Sequence, residues 1–149
     1  MFTLISPFAS LTSFVFEDVS DASWMAYQPV ATFISIAIVV AFLLAFLLYY
    51  YGLKSTAFSR LGWWLLPGIV AALAVGFYAY HEVYDLGITQ NRITINLQPE
   101  NLYDVLVGKA RNVGIVAFGC CLSLYILLSF FRPLRHYHRD IPFTFRNRR

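Results

Sequence analysis

Residues 29–53 read PVATFISIAIVVAFLLAFLLYYYGL, twenty-five positions without a charge, closed by Lys54. At about 1.5 Å rise per residue, a helix of that length more than covers the roughly 30 Å hydrocarbon core of a bilayer. Two further apolar runs follow, at about 61–80 and 112–131. The fold these runs predict is an all-α membrane protein with three transmembrane helices, at 29–53, 61–80 and 112–131. Composition agrees, since 59% of the 149 residues are hydrophobic and only 13% are charged. A soluble domain of this size has too little interior for so much apolar surface, whereas a lipid-facing one does not need it. The chain therefore reads as a single polytopic domain.

The ends of the runs carry interfacial markers. Tyr49, Tyr50 and Tyr51 close the first, Trp63 and Trp64 open the second, and Tyr78 and Tyr80 close it. Aromatic rings with a polar edge collect at the headgroup level in this way. Pro67 lies in the opening turns of the second run, where its missing N–H predicts a kink.

Residues 1–28 lack the basic n-region of a signal peptide and carry Glu17, Asp18 and Asp21. Ser6-Pro7 has the form of a helix start. At 100° per residue Phe8, Leu11, Phe14 and Val15 gather on one side, with Ser10, Ser13 and Glu17 opposite. That pattern predicts an amphipathic helix lying in the membrane interface. Residues 81–111 form the extramembrane segment between the second and third runs. Ile93, Ile95 and Leu97 alternate with Thr94 and Asn96, which predicts one short strand. From Pro99 a helix carrying Leu102, Val105 and Leu106 on one face leads toward the third run. A strand and a helix of this size have no core of their own, so the segment has to rest on the membrane, the rest of the chain or a partner.

Charge sets the expected orientation. Lys54 and Arg60 lie in the connector after the first run, Arg92, Lys109 and Arg111 in the long segment, and Arg132, Arg135, Arg139, Arg146, Arg148 and Arg149 in the tail. Alternate segments share a side, giving eight basic residues on one face of the membrane and three on the other. The positive-inside rule then places the N-terminus and 81–111 outside, with the connector and tail in the cytoplasm. The membrane expected is a bacterial cytoplasmic membrane or an equivalent organellar inner membrane. The six tail arginines also suit anionic lipid headgroups or a cytoplasmic partner. Tyr137, Phe143 and Phe145 among them resemble nucleic-acid chemistry, but so short a tail holds no nucleic-acid fold, and none is expected as a ligand.

Within the three runs there is no Asp, Glu, Lys, Arg or His. Ion and proton pathways are built from such groups, so a pump, a proton-coupled transporter or a voltage sensor is not expected. Thr32, Ser35, Ser123 and Ser129 can bond the backbone of their own helix and read as structural. His81 and Asp85 share a helical face, and His136 and His138 lie close to Asp140, but neither group has a complete metal set, so no metal or other cofactor is expected beyond bound lipid. Cys120 and Cys121 are neighbours inside the third run and read as packing residues rather than a disulfide. No catalytic constellation is present, so the chain is expected not to be an enzyme.

Small residues are more informative. Gly68, Ala72 and Gly76 recur every fourth position in the second run. Ala110, Gly114, Ala117 and Cys121 make a similar stripe in the third, and Ala37, Ala41 and Ala45 in the first. Such stripes let helix backbones approach closely, which drives association in lipid. The helix partner is either another span of this chain or another subunit. Together these features predict a non-catalytic membrane subunit or anchor of a larger assembly, homo- or hetero-oligomeric, contacting neighbours through these stripes and through Ile93, Ile95, Leu97, Leu102, Val105 and Leu106. Three spans with a cationic cytoplasmic tail also resemble the layout of three-span phage holins. That resemblance implies the alternative function, a homo-oligomeric pore.

Overall fold

The computed structural model describes residues 7–52, 61–95 and 101–130. Its elements are α1 (Pro7–Leu11), a 3-10 turn (Ser13–Phe16), α2 (Asp21–Leu47), α3 (Leu61–Tyr84) and α4 (Leu102–Phe130). Both α2 and α3 end in a wider π turn, at Leu48–Gly52 and Asp85–Thr89 respectively. Among the described residues, three segments are long and apolar enough to cross a membrane: Asp21–Gly52, Trp63–Thr89 and Leu102–Ser129. They run up, down and up, a layout compatible with an integral membrane protein.

Each span is longer than its charge-free run. α2 starts two turns before Pro29, because Ser20 caps it, its Oγ accepting from the Ser23 N–H at 3.4 Å. Asp21 in the first turn then faces the positive end of the helix dipole. Pro29 lies on the exposed side of the helix. α3 continues past Tyr80 to Tyr84 and, through its π turn, to Thr89, and Asn91, with a left-handed φ of 49°, lies just beyond the end. The expected helix at 102–106 and the third span are one uninterrupted α4.

Two expectations require correction. Residues 7–19 do not form one interfacial helix. The helix breaks at Thr12, whose hydroxyl donates to Phe8 O at 2.8 Å and lies 2.8 Å from the Tyr27 hydroxyl. The break rotates Leu11 and Phe14 outward and Phe16 inward, so Phe8, Val15 and Phe16 join the helical core. The Phe16 ring lies 4.2 Å from that of Tyr27. The expected strand is also not present among the described residues. Ile93 is buried, and Ile95 makes only an isolated antiparallel bridge to Val19. Leu97 lies outside the described residues.

The core is a seam between α3 and α4, with α2 laid across it. Tyr27, Ala31, Ile34, Ile38, Ala45 and Tyr49 recur every three, four or seven residues along the buried side of α2 and its π turn. The opposite side of α2 presents Phe33, Ile36, Val40, Leu43, Leu44 and Leu47 outward. In lipid these residues need no protein cover.

Candidate functional site

The two glycine-containing stripes approach each other closely. A Cβ on Gly76 would lie 3.0 Å from the Gly114 carbonyl oxygen, and one on Gly114 would lie 2.8 Å from the Gly76 carbonyl oxygen. Neither position has room for a methyl group. Ala72, Ala110, Ala117 and Cys121 are buried in the same core. Gly68 lies under the Tyr125 ring, one carbon of which would be 2.7 Å from an added Cβ. The stripes of the second and third spans thus face each other within this chain. Of the α2 alanines only Ala45 is buried, while Ala37 and Ala41 are half-covered.

Polar side chains close the bundle at each end. Where α2 begins and α3 ends, the Lys109 ammonium donates to the Val15 carbonyl at 2.6 Å and to Asp18 Oδ1 at 2.9 Å. It also sits 5.9 Å from the centre of the Phe16 ring. Lys109 is 8% exposed, so its four-carbon stem packs in the core while its head is fully engaged. The hydrogen bond from Lys109 holds the Asp18 carboxyl below its ordinary 3.8. Beside it, Thr94 Oγ1 lies 2.7 Å from Ser20 Oγ and 3.2 Å from Ser23 Oγ. The Thr94 N–H donates to Ser23 Oγ at 2.8 Å, which ties the segment after α3 to the start of α2.

At the other end, the Tyr125 hydroxyl donates to the Trp64 carbonyl at 2.6 Å. Trp64 Nε1 donates to Ser129 Oγ at 3.2 Å, and Ser129 Oγ donates back to Tyr125 O at 2.9 Å. Pro67, one turn along α3, has no N–H for its helix. Within the spans Thr32 and Ser35 donate to the carbonyls of Gln28 and Ala31 in their own helix.

The other expected contact residues separate. Ile93 and Leu106 are buried together beside Gly87, with Val105 and Ile95 half-covered and Leu102 exposed. Asp85 accepts from Gln90 Nε2 at 2.7 Å, and His81 is exposed. No three His, Cys, Asp or Glu side chains gather into a metal set among the described residues. Arg132, Arg135, Arg139, Arg146, Arg148, Arg149, His136 and His138 lie outside the described residues.

Lys109, Tyr27 and Tyr125 were not singled out from sequence, although helical register points to all three. Lys109 lies three residues after Leu106 and four before Val113, on the buried side. Tyr125 extends the stripe of Ala117 and Cys121 by four.

The outward surface carries apolar clefts. One of about 680 Å³ between α2 and α3 is lined by small residues, Ala41, Ala45, Ala71 and Ala74, with Leu44, Val70 and Pro67 among the others. Another, of about 360 Å³ between α3 and α4, has Arg111 as its only charged lining residue. No family model, curated protein or solved structure matches this chain.

Proposed function

We propose that this chain is a non-catalytic integral membrane subunit or anchor that docks other membrane subunits. Its N-terminus and residues 81–111 face outward, and its connector and tail face the cytoplasm. The observation that carries this reading is the cleft between α2 and α3. Four alanines line it where it opens on the outside of the bundle, Ala74 exposed, Ala41 and Ala71 half-covered and Ala45 buried at its base. Small residues on an outer face let a foreign helix approach closely, and in lipid that contact is the main source of affinity. The polar side chains at both bundle ends favour the same view, because they bond to the chain itself rather than converge on a cavity. The absence of a polar outward face on α2 weighs against the holin-like alternative, since a water-filled pore needs one.

The test is purification of the tagged full chain in a mild detergent, followed by identification of what remains bound. A partner in fixed stoichiometry is expected. Ala74→Leu, at an exposed position, should release it while leaving the helical content unchanged. Isolation of the chain alone, or as a large homo-oligomer, contradicts the subunit reading. Orientation is checked by cysteine labelling at Thr89 and Thr144 after replacement of Cys120 and Cys121. Thr89 should react in intact cells and Thr144 only after permeabilisation; labelling of both from one side overturns the assigned topology.

A further inference from the structure

The cleft between α3 and α4 differs from that between α2 and α3 in one respect. Its lining, Leu73, Gly76, Phe77, Tyr80, Gly114, Ile115 and Phe118, is apolar or aromatic, but it includes Arg111. Arg111 is exposed and makes no ion pair among the described residues.

Depth along the helices locates this arginine. Trp64 and Ser129 bond to each other at one end of the bundle. From Ser129 to Arg111 α4 rises about 27 Å, and from Trp64 to Tyr80 α3 rises about 24 Å. A hydrocarbon core is roughly 30 Å thick. With the Trp64 end at one headgroup level, Arg111 and Tyr80 come to the opposite one. The rest of the cleft descends from them for about 10 Å, to Leu73 and Phe118. Its floor is shallow-walled at Gly76 and Gly114, where backbone rather than side chain is presented, and Phe77 stands exposed at its rim.

We propose that this cleft binds one anionic phospholipid, its acyl chain lying over Gly76 and Gly114 and its phosphate meeting Arg111. The geometry favours lipid over a helix because the charge sits at phosphate depth, above an otherwise apolar trough. A guanidinium matches phosphate oxygens with paired N–H donors. A partner helix would instead have to carry an acidic residue at that level. Asp104, two turns farther along α4 and about 10 Å away, is the nearest acidic residue on the same helical face and is too distant to neutralise Arg111. This assignment does not depend on the subunit role, because a lipid site can serve a protein that acts alone.

The experiment is native mass spectrometry of the full chain in detergent, titrated with phosphatidylglycerol or with phosphatidylcholine of identical acyl chains. The wild-type chain should retain phosphatidylglycerol more strongly, with about fivefold of the margin coming from Arg111, the effect of one arginine near an anionic headgroup. Arg111→Gln should lower that preference about fivefold, Arg111→Lys should keep most of it, and Arg92→Gln, outside the cleft, should not change it. Because the tail arginines are intact in every variant, the difference isolates Arg111. Ile115→Trp, filling the cleft from an exposed position, should weaken both lipids and serves if Arg111→Gln does not fold. Equal retention of the two lipids by the wild type overturns the proposal, as does equal loss in Arg92→Gln and Arg111→Gln. A dimer that forms through this face and excludes lipid would overturn it too, assigning the cleft to a second copy.

Discussion

Lys109 has the most constrained charge among the described residues. Its ammonium is held by a carbonyl, a carboxylate and an aromatic face, all from the segment before α2. Lys109→Met keeps the apolar stem but removes the charged hydrogen bonds. Amide exchange in residues 13–19 should then report a loss of about 1–3 kcal/mol in local protection. Asp18→Asn should cost less than about 1 kcal/mol, because the Asp18 side chain is 49% exposed and water screens the pair. The pH dependence has a defined sign. The folded-state value of Asp18 lies below its ordinary 3.8, so its contribution is complete at neutral pH, declines once pH falls below 3.8, and is gone below the folded value. Exchange in residues 13–19, normalised to intrinsic rates, should rise through that window in the wild type but not in Asp18→Asn. An equal rise in both would show that Asp18 is not the titrating group. In the sequence Lys109 was legible only as one charge in a topology count. Its burial follows from register with Leu106 and Val113, and its partners, more than ninety residues earlier, have no local signature.

Among the helices, the two glycine positions of the α3–α4 seam differ physically from the other glycines of α4. Gly114→Ala puts a methyl group against the Gly76 carbonyl and should destabilise by about 1–3 kcal/mol. Gly108 and Gly119 have open space where a Cβ would go, so alanine there should be neutral or stabilising by up to about 1 kcal/mol. Thermal unfolding in detergent, followed by circular dichroism, checks the contrast; equal effects at Gly114 and Gly119 would remove the seam from the account. The three helices and their small-residue stripes were readable because apolar length and four-residue spacing are local properties, but whether a stripe meets another span of this chain or another subunit was not, because that depends on how the helices pack. Helix ends were less readable, since Ser20 and Asn91 act through capping geometry rather than hydropathy. The N-terminal pattern misled for a different reason. A projection at fixed angle assumes an unbroken helix, and the Thr12–Tyr27 contact supports a break that only tertiary structure reveals. Likewise, alternation at Ile93 and Ile95 described a segment that docks on Leu106 and Val19 instead of pairing into a sheet.

At the scale of the whole molecule, the chain forms an up-down-up bundle closed by polar contacts at each end and apolar along its sides. The fold was legible because a bilayer leaves few ways to arrange three long apolar helices. The clefts were not, because a cleft is made by two helices together and depends on which side each presents. An alanine-lined outer cleft and a separate apolar trough with an arginine at its mouth both suit a protein whose work is contact, with neighbours and with lipid. Neither suits a conduit. Expression of the chain alone in a bacterial host, with membrane potential and dye exclusion followed from induction, tests that most directly. The account predicts a maintained potential, continued growth and rapid degradation of the unpartnered chain. Prompt depolarisation with dye entry would contradict it and assign the chain to a pore.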